Sequence, residues 1–226
     1  MKALRFELFL QDSSLFYSLY FASKFECLAE LMDKKIDVYF AGALFSSKDL
    51  IGNCMLAESI EEISGKYRIV LPQDIEVSRL SPKEIRDGDI RALLNCDMAI
   101  FNFDGTDLDS GTVAEFMIAK FAAKPALLLR TDFRSSGDQN VESSGFEPWN
   151  LMLSFYPQTQ SLLLNAADIY RQSFEGGRAN LKKYADLIAL KVVEKLDGLL
   201  LSEHKFEREN KDILDKWLCD ALNFKM

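Results

Sequence analysis

Two rhythms of apolar residues alternate along the chain. Short runs rich in β-branched and aromatic side chains give way to longer stretches whose apolar residues recur every three or four positions. IDVYFA (36–41), closed by Gly42, reads as a buried strand running into a turn. KDLIGNCMLAESIEEIS (48–64) has helical spacing. RIVLP (68–72) is a second strand, ended by Pro72. EIRDGDIRALLNC (84–96) reads as a helix whose start could lie as late as Gly88. DMAIFNF (97–103) is a strand, TVAEFMIAKFAAK (112–124) a helix and PALLLRTD (125–132) the next strand. RSSGDQNVESSG (134–145) reads as a polar, mobile loop. SLLLNA (161–166) is the expected last strand, and ANLKKYADLIALKVVEKLDGLLL (179–201) a long amphipathic helix.

Strands that alternate with helices imply an α/β fold, a doubly wound, mostly parallel sheet with helices on both faces. Such sheets bind ligands beyond the C-terminal ends of their strands. The turns after Ala41, Pro72 and Phe103 are therefore expected to share one rim. Three parts follow from this pattern: an N-terminal extension (1–34) read as a strand plus a helix, an α/β domain (35–202), and a C-terminal helical extension (203–226). The last carries an apolar stripe of Ile213, Trp217, Leu218 and Leu222.

Composition narrows the function. The 226 residues are 48% hydrophobic and 27% charged, with a formal net charge of −8. A polynucleotide binder needs a basic surface, so nucleic acid is not an expected partner. No apolar run reaches membrane-spanning length, and Glu7 interrupts the short apolar run at the N-terminus; neither a membrane anchor nor a secretory leader is expected. The four cysteines, Cys27, Cys54, Cys96 and Cys219, lack framework spacing, which fits free thiols in a reducing cytoplasm. With His204 as the one histidine, a zinc site is not expected.

The chemistry concentrates in NFDGTDLDSGTVAEFMIAK (102–120), where acids crowd a strand-to-helix junction. One reading is capping: Asp109 or Thr112 caps the helix, and Thr112 to Glu115 matches a capping box. The other is catalytic. A carboxylate at Glu115, kept ionised by the helix dipole and backbone N–H donors, can attack an electrophilic carbon, while a second acid protonates the leaving group. Asp89 is the candidate second acid. It shares a helical face with Ile85, Ala92, Leu93 and Cys96, so it is partly desolvated and its pKa rises. If the helix began at Gly88, Asp89 would instead be an ordinary N-terminal acid.

Four ordered blocks resemble the nucleoside 2-deoxyribosyltransferase family. They are YFAGALF (39–45), DIRALLNCD (89–97), DGTDLDSGTVAE (104–115) and WNLM (149–152). The resemblance spans roughly residues 36–170, about three-fifths of the chain. It implies a flavodoxin-like sheet and base exchange on 2′-deoxynucleosides without a cofactor, by double displacement with retention. Glu115 would be the nucleophile, Asp89 the proton donor to the base, and Tyr39 the partner that holds Glu115. Asp109 would bind the sugar hydroxyls, most of all the 5′-OH. Gly42 would let backbone approach the ligand, and Phe45 would stack on the base. Asn150 would come from a neighbouring subunit, making the enzyme a homo-oligomer with shared sites. The implied ligands are a deoxynucleoside and a free nucleobase. Ala43 stands where many members carry proline, which leaves base preference open. Two rivals remain: an N-glycosidase of 2′-deoxynucleoside 5′-monophosphates, for which Ser46, Ser47 and Lys48 could help hold a phosphate, and a non-catalytic nucleoside-binding module.

Overall fold

The computed structural model of the protein describes residues 35–75, 81–134, 137, 145–202 and 216–223. The expected elements in 1–34, most of the 134–145 loop and the helix start at 203–215 lie outside the described residues. Five strands, β1 (Ile36–Ala41), β2 (Tyr67–Val70), β3 (Met98–Asn102), β4 (Ala126–Arg130) and β5 (Thr159–Leu163), form one sheet. Their order is β2-β1-β3-β4-β5, and each neighbouring pair is parallel. This is the doubly wound, flavodoxin-like arrangement expected from the alternation of patterns. Its strand order reverses between β1 and β3, where Tyr39 lies opposite Val70 on one side and Ala99 on the other.

Successive side chains of a strand point to opposite faces, and the strands sort accordingly. Val38, Phe40, Met98, Ile100, Leu127 and Leu129 face one helical layer. That layer is α1 (Ser47–Ser64) and the later helix α5 (Leu181–Leu201), which contribute Leu56, Ile60, Ile188 and Val192. Tyr39, Ala41, Ala99, Phe101 and Leu128 face the other layer, which contributes Leu93 and Phe116. These two come from α2 (Pro82–Asn95) and α3 (Ser110–Phe121). Each fully buried large aliphatic or aromatic side chain contributes about 1.5–3 kcal/mol. Burial on both faces also explains why β3 and β4 read as unbroken apolar runs.

Three local details bear on the site. Helix α2 starts at Pro82, not near Gly88: Ser81 and Glu84 form a reciprocal capping box, which places Asp89 in the middle of the helix. Helix α3 is capped by Asp109, so the box expected from Thr112 to Glu115 does not form. Between β4 and α5, the last strand begins two residues before the expected SLLLNA run, because Thr159 and Gln160 pair with Ala126 and Leu127 despite their polarity. A short helix α4 (Ala166–Gln172), capped by Asn165, and a two-residue hairpin, β6 (Phe174–Glu175) and β7 (Arg178–Ala179), follow. Residues 216–222 are helical, and Leu218 packs with Ile90, Leu94 and Ala122. No helix among the described residues is long and apolar enough to cross a membrane.

Candidate active site

Position 39 is the odd-numbered, α3-facing place in β1, and Tyr39 is fully buried there. Its hydroxyl donates a 2.7 Å hydrogen bond to Glu115 Oε1. Glu115 is presented from the second turn of α3, whose seating is set by Phe116. The Phe116 ring meets Phe101, Phe103 and Tyr156 edge-on at centroid distances of 5.3, 6.0 and 5.5 Å. Such pairs add about 0.5–1.5 kcal/mol each beyond area burial, so the helix turn that carries Glu115 is firmly held. Glu115 Oε2 accepts no hydrogen bond among the described residues.

The electrostatics of Glu115 differ from the sequence expectation. No acid lies in the first turn of α3, and no backbone N–H among the described residues supports the Glu115 carboxylate. Burial pushes its pKa up to about 7; the Tyr39 hydrogen bond pulls it down, while the charges of Asp89 and Asp109 push it up. The dipole and N–H donors therefore do not keep this group ionised; desolvation outweighs the Tyr39 hydroxyl, the one donor it has among the described residues. Tyr39 itself is driven far above the ordinary phenol range by burial and by the Glu115 charge, which keeps it a hydrogen-bond donor. Burial alone raises the Asp89 pKa, and no hydrogen bond to Asp89 is made among the described residues. A half-buried acid in the middle of a helix, its pKa raised by desolvation, is suited to act as a proton donor.

Asp109 fulfils the capping reading. Its Oδ2 accepts the Thr112 N–H at 2.7 Å and the Thr112 hydroxyl at 2.9 Å, which caps α3. Its charge still reaches Glu115. Gly42 directly follows β1, beside the end of β3, where a Cβ would stand 3.2 Å from Asn102 Cβ; a side chain there would force Asn102 to give by a few tenths of an ångström. Glu115, Asp89, Tyr39 and Asp109 thus come together. Phe45 and Asn150 do not join them within one chain. Phe45 is 80% exposed, and Asn150 Oδ1 accepts the Met152 N–H at 2.9 Å, capping a short turn next to exposed Leu151, Met152 and Phe155.

Two supporting residues escaped the sequence reading. Asp104 accepts three hydrogen bonds, from Thr131 N at 2.5 Å, Thr131 Oγ1 at 2.8 Å and Asp132 N at 2.8 Å. The Arg130 guanidinium, 1% exposed, donates to the carbonyls of Phe103, Gly105, Asp132 and Arg134. Together they tie the acidic loop to the end of β4. The signal for Arg130 was present: a charge closing the apolar run ALLLR. A cavity of about 860 Å³ opens on the other side of this loop, between α1 and α5, floored by Phe40, Leu56, Leu129 and Ile188. It meets the acidic cluster at Asp109 but is lined by neither Glu115, Asp89 nor Tyr39.

Comparison with known proteins follows the same residues. Residues 38–152 match the family described as nucleoside 2-deoxyribosyltransferase, just over half of the 226-residue chain. No curated protein matches. Among solved structures, a conserved protein from Enterococcus faecalis V583 is 22% identical, covering 73% of this chain and 99% of its own, with a TM-score of 0.47. A 2-desoxiribosyltransferase from Leishmania mexicana is 23% identical over 52% of this chain and 85% of its own, at 0.42. A CMP N-glycosidase from Clostridium botulinum is 17% identical over 68% and 98%, also at 0.42.

Proposed function

The chain belongs to the nucleoside 2-deoxyribosyltransferase family, and on that footing we propose that it exchanges the base of a 2′-deoxynucleoside through a covalent deoxyribosyl–Glu115 ester. The observation that carries this reading is the 2.7 Å bond from Tyr39 to Glu115 Oε1. It fixes one oxygen of a desolvated carboxylate and leaves Oε2 to attack. Glu115 Oε2 bonds to C1′ as the C1′–N bond breaks, and the electron pair leaves with the base. Asp89 gives its proton to that base nitrogen. A second base then attacks C1′ from the vacated side, the ester bond breaks back to the Glu115 carboxylate, and the incoming base returns its proton to Asp89. Two inversions give retention. Water in place of the second base gives slow hydrolysis.

The transition state is oxocarbenium-like, and carboxylates held in a site of low polarity stabilise its charge. In this scheme Asp109 uses the oxygen not engaged by α3 to bind the sugar hydroxyl at C5′. Asn150 completes the site of a neighbouring subunit, and the exposed Leu151, Met152 and Phe155 around it support an apolar contact between copies. The carboxyl group of Asp109 beside C5′ argues against a 5′-monophosphate substrate. Chromatography of 2′-deoxyadenosine incubated with a second free base tests the proposal. Wild type is expected to form the new nucleoside and Glu115→Ala to lose that activity; equal exchange by both rules out the nucleophile. Binding without exchange by wild type favours the non-catalytic module.

A further inference from the structure

The cavity between α1 and α5 is too large, and too apolar at its base, to be an incidental gap beside a sugar site. Its volume of about 860 Å³ lies within the range of roughly 300–1,000 Å³ typical of small-molecule sites. Its floor is Phe40, Leu56, Leu129 and Ile188, on the sheet face opposite Tyr39. The rim is different. Among the described residues, Asp49, Asp104, Asp107 and Asp109 line it with Lys48 as the one basic group, a formal balance of four carboxylates to one amine. Tyr184 also lines it, and its hydroxyl has no hydrogen-bond partner among the described residues. Its pKa is raised by burial and by the Asp104 charge, so it stays a donor.

Asp109 belongs to both the rim and the carboxylate cluster around Glu115. Resting on the reading that Asp109 meets the sugar at C5′, we infer that the cavity receives a substituent carried on C5′ of the substrate. The chemistry of the wall sets the class of that substituent. An anionic group there loses its hydration and faces a surplus of carboxylates, which is unfavourable on both counts. An apolar chain ending in a neutral or cationic group fits: the chain covers the aliphatic floor, and the end group meets the acidic rim. The substrate class assigned is a 2′-deoxynucleoside with an uncharged or cationic 5′ extension, in preference to a 5′-phosphate.

Calorimetric binding to Glu115→Gln protein, which holds the ligand without turnover, tests this with three compounds that differ at C5′ alone. They are 2′-deoxyadenosine, its 5′-deoxy-5′-butylthio analogue and its 5′-monophosphate. The butylthio compound is expected to bind at least about tenfold more tightly than the monophosphate and no more weakly than the parent. A second variant adds bulk at the cavity wall without disturbing the core: Gly52 lines the cavity, and a Cβ at that position meets nothing within 4 Å. Adding Gly52→Phe is expected to weaken the butylthio compound about tenfold and leave the parent unchanged. Tighter binding of the monophosphate, or a butylthio affinity indifferent to Gly52→Phe, overturns the inference. The transferase reading fails separately: wild type that shows the same binding order but exchanges no base loses the chemistry while the cavity assignment stands. Failure of all three compounds to bind overturns both.

Discussion

Replacing Glu115 by glutamine should stabilise the protein while removing its activity, and the gain should grow with pH. Burial raises the carboxyl pKa from 4.5 to about 7, so the folded protein holds this proton more tightly than the unfolded chain does. The sign follows from linkage: stability is fully present below the unfolded value, falls as pH climbs from 4.5, and reaches its floor above about 7. Each tenfold change in proton affinity is worth about 1.4 kcal/mol. Keeping Glu115 ionised in the fold therefore costs about 3 kcal/mol at pH 8 and under about 1 kcal/mol at pH 5. Glutamine has the same shape, accepts the Tyr39 hydroxyl and carries no charge to desolvate. The melting temperature of Glu115→Gln minus that of wild type should thus widen by roughly 5–10 °C between pH 5 and pH 8, taking about 2–4 °C per kcal/mol for a chain of this size. Any fixed difference in packing or hydrogen bonding adds the same offset at each pH and leaves the widening intact. Differential scanning calorimetry over that range reads it directly. A melting-temperature difference that stays flat from pH 5 to pH 8, or narrows, refutes the reasoning that this carboxylate is held against a desolvation cost.

Three other outcomes follow from the same geometry. The pH profile of kcat/KM for exchange should have an ascending limb near pH 7, and Tyr39→Phe should move that limb to higher pH, because the hydroxyl it removes favours the ionised Glu115; an unmoved limb in the variant separates Tyr39 from the nucleophile. Asp89→Asn should lower kcat by about 10²–10⁴-fold, and much less for a nucleoside whose base leaves without protonation, a difference read by steady-state rates on paired substrates. Arg130→Leu leaves four backbone carbonyls without their donor and should cost at least about 3 kcal/mol of stability, measured by urea denaturation; a loss below 1 kcal/mol would show that the loop holds itself.

The alternation of strand and helix patterns was enough to fix the class of fold and the rim on which the acids sit. That is a local property: period-two and period-3.6 runs record which faces are buried, and a parallel sheet with both faces covered is the economical way to bury them. The acids Glu115, Asp109 and Asp89 could also be picked out, because charge at a tight turn or in line with apolar residues is visible in one dimension. Their states could not. Whether Asp89 opens a helix or sits within one turned on a capping box at Ser81, and whether Glu115 is ionised turned on desolvation, which depends on what other segments bring near it. Tyr39 and Glu115 are 76 residues apart in the chain, and their contact exists because β1 and α3 pack on the same face of the sheet. The roles of Arg130 and Asp104, and a cavity that adjoins the acidic cluster at Asp109 alone, have the same origin. Sequence determines which groups are present and which surfaces must be hidden; the tertiary fold alone decides which of those groups lose their water together, and that loss sets their charge.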